Sequence, residues 1–148
     1  MVTLRTPDRL LDRIEVLFDR QNFAALLGMR LQLVEAGRVV VEMPPDKRLT
    51  QQHGVLHAGA TTTLADTAAG FAALTMMPEG ADVMSVEFKI NLMAPGKGNL
   101  FRADARVLRA GRTITTVEAR AQARGDDGTW TDYASFLGTM ICLQPKTA

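Results

Sequence analysis

Residues 57–77 read HAGATTTLADTAAGFAALTMM, a run of Ala, Leu, Thr and Met whose only formally charged member is Asp66. The run is too long for an ordinary strand and too apolar for a helix lying on a surface, so it predicts a helix buried on most sides. A carboxylate buried without partners costs several kcal/mol, which makes Asp66 the anomaly of the sequence. Gly59, Thr62, Ala69, Gly70 and Ala73 stand at helical spacing from it. Its face of the helix is therefore expected to carry small side chains that leave room for a ligand or another backbone. Helix pattern alone leaves two readings open: Asp66 bonds a local hydroxyl, Thr62 or Thr63, or it serves a site.

Outward from this segment the hydrophobic period changes. On the N-terminal side, Leu10, Leu11, Ile14, Leu17 and Phe18 recur at three- and four-residue steps, predicting an amphipathic helix over residues 7–18 with Asp8 suited to its dipole. A short helical piece is expected over residues 23–27. Then Met29, Leu31 and Leu33 alternate with polar residues, and after Ala36-Gly37 the residues Val39, Val41 and Met43 do the same until Pro44-Pro45. Period two with a tight turn predicts a β-hairpin. On the C-terminal side, Val86, Phe88, Ile90 and Leu92 alternate with Ser85, Glu87, Lys89 and Asn91, which predicts one dry and one wet face. Two further alternating runs follow, Phe101 to Val107 and Thr116 to Arg124, and Trp130 to Leu143 reads as a last strand. The expected class is α+β: about six strands in an antiparallel meander, strongly curved around one central helix, which is the hotdog arrangement.

Length and composition bound the function. The 148 residues suit one domain, with an N-terminal helical segment over residues 1–22 and the sheet-and-helix unit over residues 23–148. Lys+Arg number 17 and Asp+Glu 16, so no overall field draws the chain to nucleic acid or an anionic membrane. Cys142 is the single cysteine and reads as a buried apolar thiol, which argues against a disulfide scaffold. Residues 1–20 carry charges throughout and hold no stretch suited to a signal peptide or membrane span, so a cytoplasmic location is expected. His53 and His57 have neither cysteine nor clustered carboxylates beside them, so no metal site is expected. A phosphate loop and a dinucleotide fingerprint are both missing.

The chemistry is carried by Gln51-Gln52-His53-Gly54-Val55-Leu56-His57-Ala58-Gly59 followed by Leu64-Ala65-Asp66. This resembles the signature of the PaaI-like hotdog thioesterases, N-x-x-G-x-x-H-G-G-x-x-x-x-L-x-D. Gly54, His57, Gly59, Leu64 and Asp66 match at the right spacing, while Gln51 replaces the usual Asn and Ala58 the first Gly after the His. The resemblance implies acyl-CoA hydrolysis, with no cofactor beyond the CoA of the substrate. It implies that Asp66 attacks the thioester carbonyl or activates a water. The N–H of Ala58 or Gly59, at the start of the helix, would meet the developing oxyanion, and Gln51 would reach the place of the family's Asn. His57 either orients the loop through its ring nitrogens or simply caps the helix. Ser85 lies where some relatives place a hydroxyl that orients the water; the plainer reading is an exposed strand residue.

Spacing adds a constraint. Ala58 and Asp66 are eight residues apart, about 12 Å along a helix, so they cannot both touch one carbonyl carbon. If both are catalytic, each site draws on two subunits, and a homodimer or a dimer of dimers is expected. Among the arginines of residues 102–124, Arg109 and Arg112 at a turn are the candidates for CoA phosphates, the rest reading as a solvated face. Phe71, Met76, Met77, Phe88 and Met93 could line an aryl or an aliphatic pocket or be plain core. Two alternatives to a thioesterase are a hotdog dehydratase or hydratase, whose His and acid pairing is not found, and a non-catalytic acyl-CoA-binding protein.

Overall fold

The computed structural model describes residues 8–144. Helix α1 (Asp8–Asp19) and the short α2 (Asn22–Leu26) precede a hairpin of β1 (Arg30–Glu35) and β2 (Arg38–Met43). Helix α3 (Ala58–Leu74) follows, and then β3 (Asp82–Leu92), β4 (Leu100–Ala110), β5 (Ile114–Arg124) and β6 (Trp130–Leu143). The helices fall where the periodicity puts them, and Pro7 lies outside the described residues. The expected hotdog architecture is present: one six-stranded antiparallel sheet is wrapped against α3, which touches every strand from β2 to β6.

Small side chains make the close wrap possible. Leu64, Ala65, Ala68, Ala69, Ala72 and Ala73 of α3 are fully buried, and Ala103, Ala105, Val117, Ala119 and Ala121 face them from β4 and β5. Alanine against alanine brings helix and sheet together at interior packing density. Helix α1 adds Leu11, Ile14 and Phe18 to the same core, and the Phe18 and Phe71 rings meet at 5.5 Å between centroids. Its Arg13 guanidinium donates to the Met77 and Ala81 carbonyls at 3.2 and 2.8 Å, which latches α1 across the turn that leaves α3. On the outer face Arg38 grips Asp104 through two hydrogen bonds of 3.0 and 2.8 Å. Burial pushes the Asp104 carboxyl upward, but Arg38 outweighs it and holds the group below the usual carboxylate range.

Two expectations about the sheet are corrected. The strands do not form a simple meander: their order is β1-β2-β4-β5-β6-β3, so β3 pairs with β6 at the far edge rather than with β4. Alternation reports that a segment is a strand but not its neighbour; α3 carries the chain past the sheet, and the 14-residue β6 has room to pair on both sides. Nor is the apolar side of β3 uniformly dry. Val86, Phe88 and Leu92 are 56%, 41% and 54% exposed, because β3 has a single pairing partner and lies at the sheet edge.

Register explains where the β3 side chains point. Val83 stands opposite Cys142 and Ser85 opposite Met140, both on the inner face of β6, while Phe88, Ile90 and Leu92 stand opposite Gly138, Phe136 and Ala134, also on the inner face. Ser85 and Phe88 cannot share a face in an unbroken strand. The register shift between Ser85 and Glu87 supplies the odd residue, Val86, and turns Ser85 inward, contrary to the wet side the alternation assigned it.

Candidate functional site

The apolar pattern of α3 leaves one stripe uncovered, formed by Thr62, Thr63, Asp66, Thr67 and Gly70. Ala69 and Ala73, expected on the same face as Asp66, are fully buried against the sheet instead. The local-hydroxyl reading of Asp66 is also overturned. Thr62 and Thr63 donate to the Ala58 and Gly59 carbonyls one turn back, at 2.8 and 2.9 Å, as helical threonines do. The partner is Ser85, whose hydroxyl donates to Asp66 Oδ1 at 2.6 Å across the gap between α3 and the bulged β3. A bond of that length between a hydroxyl and a carboxylate is charge-assisted.

Around this pair lies a cleft of about 430 Å³. Phe71, Leu74, Val83 and Met84 line it from α3 and β3, Leu17 from the end of α1, and Arg20 and Gln21 from the link between α1 and α2. Sequence reasoning missed the α1 contribution and Asp82. Leu17 was legible as part of an apolar stripe, but Arg20 carries no local signal, because it reaches the cleft that Asp66 lines only through the docking of α1. Of the five candidate acyl-pocket residues, only Phe71 lines the cleft. Phe88 stacks on Phe136 at 5.1 Å, Met77 is buried beyond the end of α3, and Met76 and Met93 are exposed.

The start of α3 is built separately. His57 is the N-cap, in extended conformation, and its Nδ1 accepts the Gly59 N–H at 2.8 Å; that nitrogen therefore carries no proton. The Ala60 and Thr61 N–H groups donate to the His57 carbonyl. Of the four free donors of a first helical turn, that of Ala58 alone has no partner among the described residues. Geometry thus separates the two candidates: the Gly59 N–H is engaged by His57, and the Ala58 N–H is available. The preceding loop closes through Gly54 N–H to the Gln51 carbonyl, and the Gln51 Oε1 accepts the His53 N–H. This leaves the Gln51 side-chain amide N–H groups without a partner among the described residues. Behind the first turn, Thr61 donates to the buried Tyr133 hydroxyl at 3.3 Å, and burial pushes that phenol up to about 12.

Along α3, Ala58 and Asp66 remain eight residues apart in one unbroken helix, about 12 Å. One chain therefore holds the two halves of the expected site without bringing them together. Four of the six arginines of residues 102–124 are engaged. Arg102 lies over the Trp130 ring, Arg106 near Asp104, Arg120 on Asp132 and Arg124 on Asn99. Arg109 and Arg112 are exposed, with no ion-pair partner among the described residues, and Arg112 lines a hollow with Met76, Met77 and Pro78 beyond the end of α3. No grouping of three or more metal-capable side chains occurs among the described residues, and no described helix is long and apolar enough to cross a membrane.

A hotdog sheet, an acid on the open stripe of the central helix and a free N–H at its start describe a thioester hydrolase. Comparison with known proteins agrees. The thioesterase superfamily profile matches residues 53–129, and the chain belongs to that family. It is 35% identical over 117 residues to acyl-coenzyme A thioesterase 13 of Homo sapiens, covering 76% of this chain and 82% of that protein. Among solved structures, a thioesterase family protein from Silicibacter pomeroyi superposes with a TM-score of 0.88 at 41% identity, covering 90% of this chain and 98% of that one. The E. coli PaaI protein superposes at 0.81 with 20% identity over 92% and 94% of the two chains, a likeness of fold.

Proposed function

We propose that the protein is a cytoplasmic acyl-CoA thioesterase, hydrolysing an acyl- or aryl-CoA thioester to the free acid and CoA with Asp66 as the reacting carboxylate. One observation carries the reading: the Ser85 hydroxyl holds Asp66 Oδ1 at 2.6 Å inside an open cleft, midway along an otherwise apolar helix. One carboxylate oxygen is fixed and the other is left for water or the thioester carbon. As a general base, Asp66 takes a proton from water while the water oxygen bonds to the carbonyl carbon; breaking the C–S bond then returns that proton to the thiolate. As a nucleophile, its oxygen bonds to the carbonyl carbon, the thiolate leaves, and water hydrolyses the resulting anhydride. Both routes put negative charge on the thioester oxygen. The Ala58 N–H, at the positive end of α3, stabilises that charge, and the free amide of Gln51 adds a second donor. His57 holds the loop by capping Gly59.

The 12 Å spacing supports a site shared between two chains, Asp66 and Ser85 from one and Ala58 and Gln51 from its partner. The long unpaired edge of β3, with Val86, Leu92 and Met93 exposed on and just beyond it, supports a homodimer joined there, alone or as half of a tetramer. Arg109 and Arg112 take CoA phosphates. The human relative's name supports CoA as the thiol carrier. The test is Asp66→Asn, which should keep substrate binding but lose about 10²-fold or more in kcat, since an amide neither attacks nor accepts a proton. Turnover close to the parent's would remove Asp66 from the reaction.

A further inference from the structure

The bulge that turns Ser85 inward sets it directly opposite Met140, on the inner face of β6. Met140 is fully buried, and its Sδ lies 3.3 Å from the Ser85 Oγ, so the hydroxyl has a thioether on one side and Asp66 Oδ1 at 2.6 Å on the other. A hydroxyl has a single hydrogen. The carboxylate takes it, since the shorter, charge-assisted bond is the stronger, and the sulfur stands as a second, weaker acceptor within reach of the same oxygen. On the other side of β6, Thr115 of β5 also stands opposite Met140, and its buried Oγ1 bonds nothing among the described residues. Met140 thus lies between two hydroxyls, and the one it meets is that of Ser85. An apolar residue of similar volume would fill the same space but offer the oxygen no lone pair.

We infer that Met140 positions Ser85 for the reaction: its thioether seats the hydroxyl against Asp66 and takes up the hydroxyl hydrogen when the carboxylate gives up its charge. This rests on the proposed reading of Asp66 as the reacting carboxylate and adds the residue that supports its partner. Ser85 is open to the cleft, and a serine side chain has three staggered rotamers, so an oxygen with nothing behind it would be free to leave Asp66 for water. The buried sulfur, fixed by the packing of β6, favours the rotamer that meets both. In either proposed route Asp66 loses its negative charge, by accepting a proton from water or by bonding to the carbonyl carbon. Oδ1 then belongs to a neutral group and holds the Ser85 hydrogen less strongly. With substrate filling the cleft and water displaced, the sulfur is the acceptor to which that hydrogen turns, and it turns back when hydrolysis restores the carboxylate. No bond is made or broken at Met140, which is neither oxidised nor reduced.

The experiment is a double-mutant cycle on thiol release from aryl, short-chain and long-chain acyl-CoAs, with the Tm of each variant measured alongside. Met140→Leu removes the sulfur and keeps the volume, a swap that cores tolerate well. It should lower kcat about 2- to 10-fold, the worth of one neutral hydrogen bond, with KM nearly unchanged because a fully buried side chain meets no substrate. In a Ser85→Ala background the same substitution should cost nothing further, because a residue that acts through Ser85 then has nothing to act on. Met140→Gln, similar in length and carrying an acceptor oxygen, should keep more of kcat than Met140→Leu, the reverse of the order that apolar packing alone would give. An undiminished kcat in Met140→Leu, equal losses with and without Ser85, or a Gln variant that folds and is slower than the Leu variant would overturn the inference. Absence of thiol release from every acyl-CoA, or full turnover in Asp66→Asn, would instead defeat the reading on which it rests, so the two failures are distinguishable.

Discussion

The proposed sharing of one site between two subunits is open to a complementation test with two variants, each expected to be inactive. Asp66→Ala removes the acid, and Ala58→Pro removes the one first-turn N–H of α3 that has no partner among the described residues. Proline suits that position: it is the first residue of the helix, and the preceding His57 sits at ψ 140°, in the extended region that a following proline demands. Each variant alone should be inactive, because both sites of its dimer carry the same defect. In a mixed dimer one site collects both defects and the other collects neither. Co-refolding equal amounts gives about half mixed dimers with one sound site of two, hence roughly a quarter of parental activity. The assay is thiol release after mixing, with mixed dimers quantified by differently tagged chains and each variant checked for native circular dichroism. Mixed dimers that form and stay inactive would refute the argument that Ala58 and Asp66 act on one carbonyl from different subunits. A result near a quarter would place the two halves of the site on separate chains.

Two further expectations concern other parts of the chain. Arg109→Ala and Arg112→Ala should each raise KM for a CoA thioester more than they lower kcat, with an effect that fades as salt rises; unchanged kinetics would return both to the solvated surface. Thr115 is 1% exposed with its Oγ1 unpartnered among the described residues, so Thr115→Val should stabilise by about 1–2 kcal/mol and raise Tm by roughly 3–8 °C at fixed protomer concentration; a lower Tm would contradict that account.

The central helix was legible because burial is written into composition: a run with one charge has to be covered, and Asp66 stood out for the same reason. The signature around His57 placed the helix start and both oxyanion candidates but could not rank them. That ranking depends on one ring nitrogen choosing the Gly59 N–H over the Ala58 N–H, a detail of rotamer and cap geometry. The partner of β3 was not legible, since a period of two is the same for an edge strand and a central one. Arg20 was hidden for a related reason. Its place in the cleft follows from Arg13 meeting the Met77 and Ala81 carbonyls, contacts more than sixty residues apart in sequence.

Ser85 shows most plainly how a local irregularity builds the site. Straight alternation puts it with Glu87 and Lys89, facing away from the helix, where its hydroxyl could never reach Asp66. Deleting the odd residue in thought makes the conflict visible: either Ser85 turns out, or Phe88, Ile90 and Leu92 do, and with them the apolar contacts to Phe136 and Ala134. The extra residue at Val86 resolves both demands, keeping three apolar side chains on the face of Phe136 and Ala134 while aiming one hydroxyl at the carboxylate. It does so on the strand that has an unpaired edge. The same irregularity therefore sets the Ser85–Asp66 hydrogen bond and lies in the strand whose other edge has no pairing partner among the described residues.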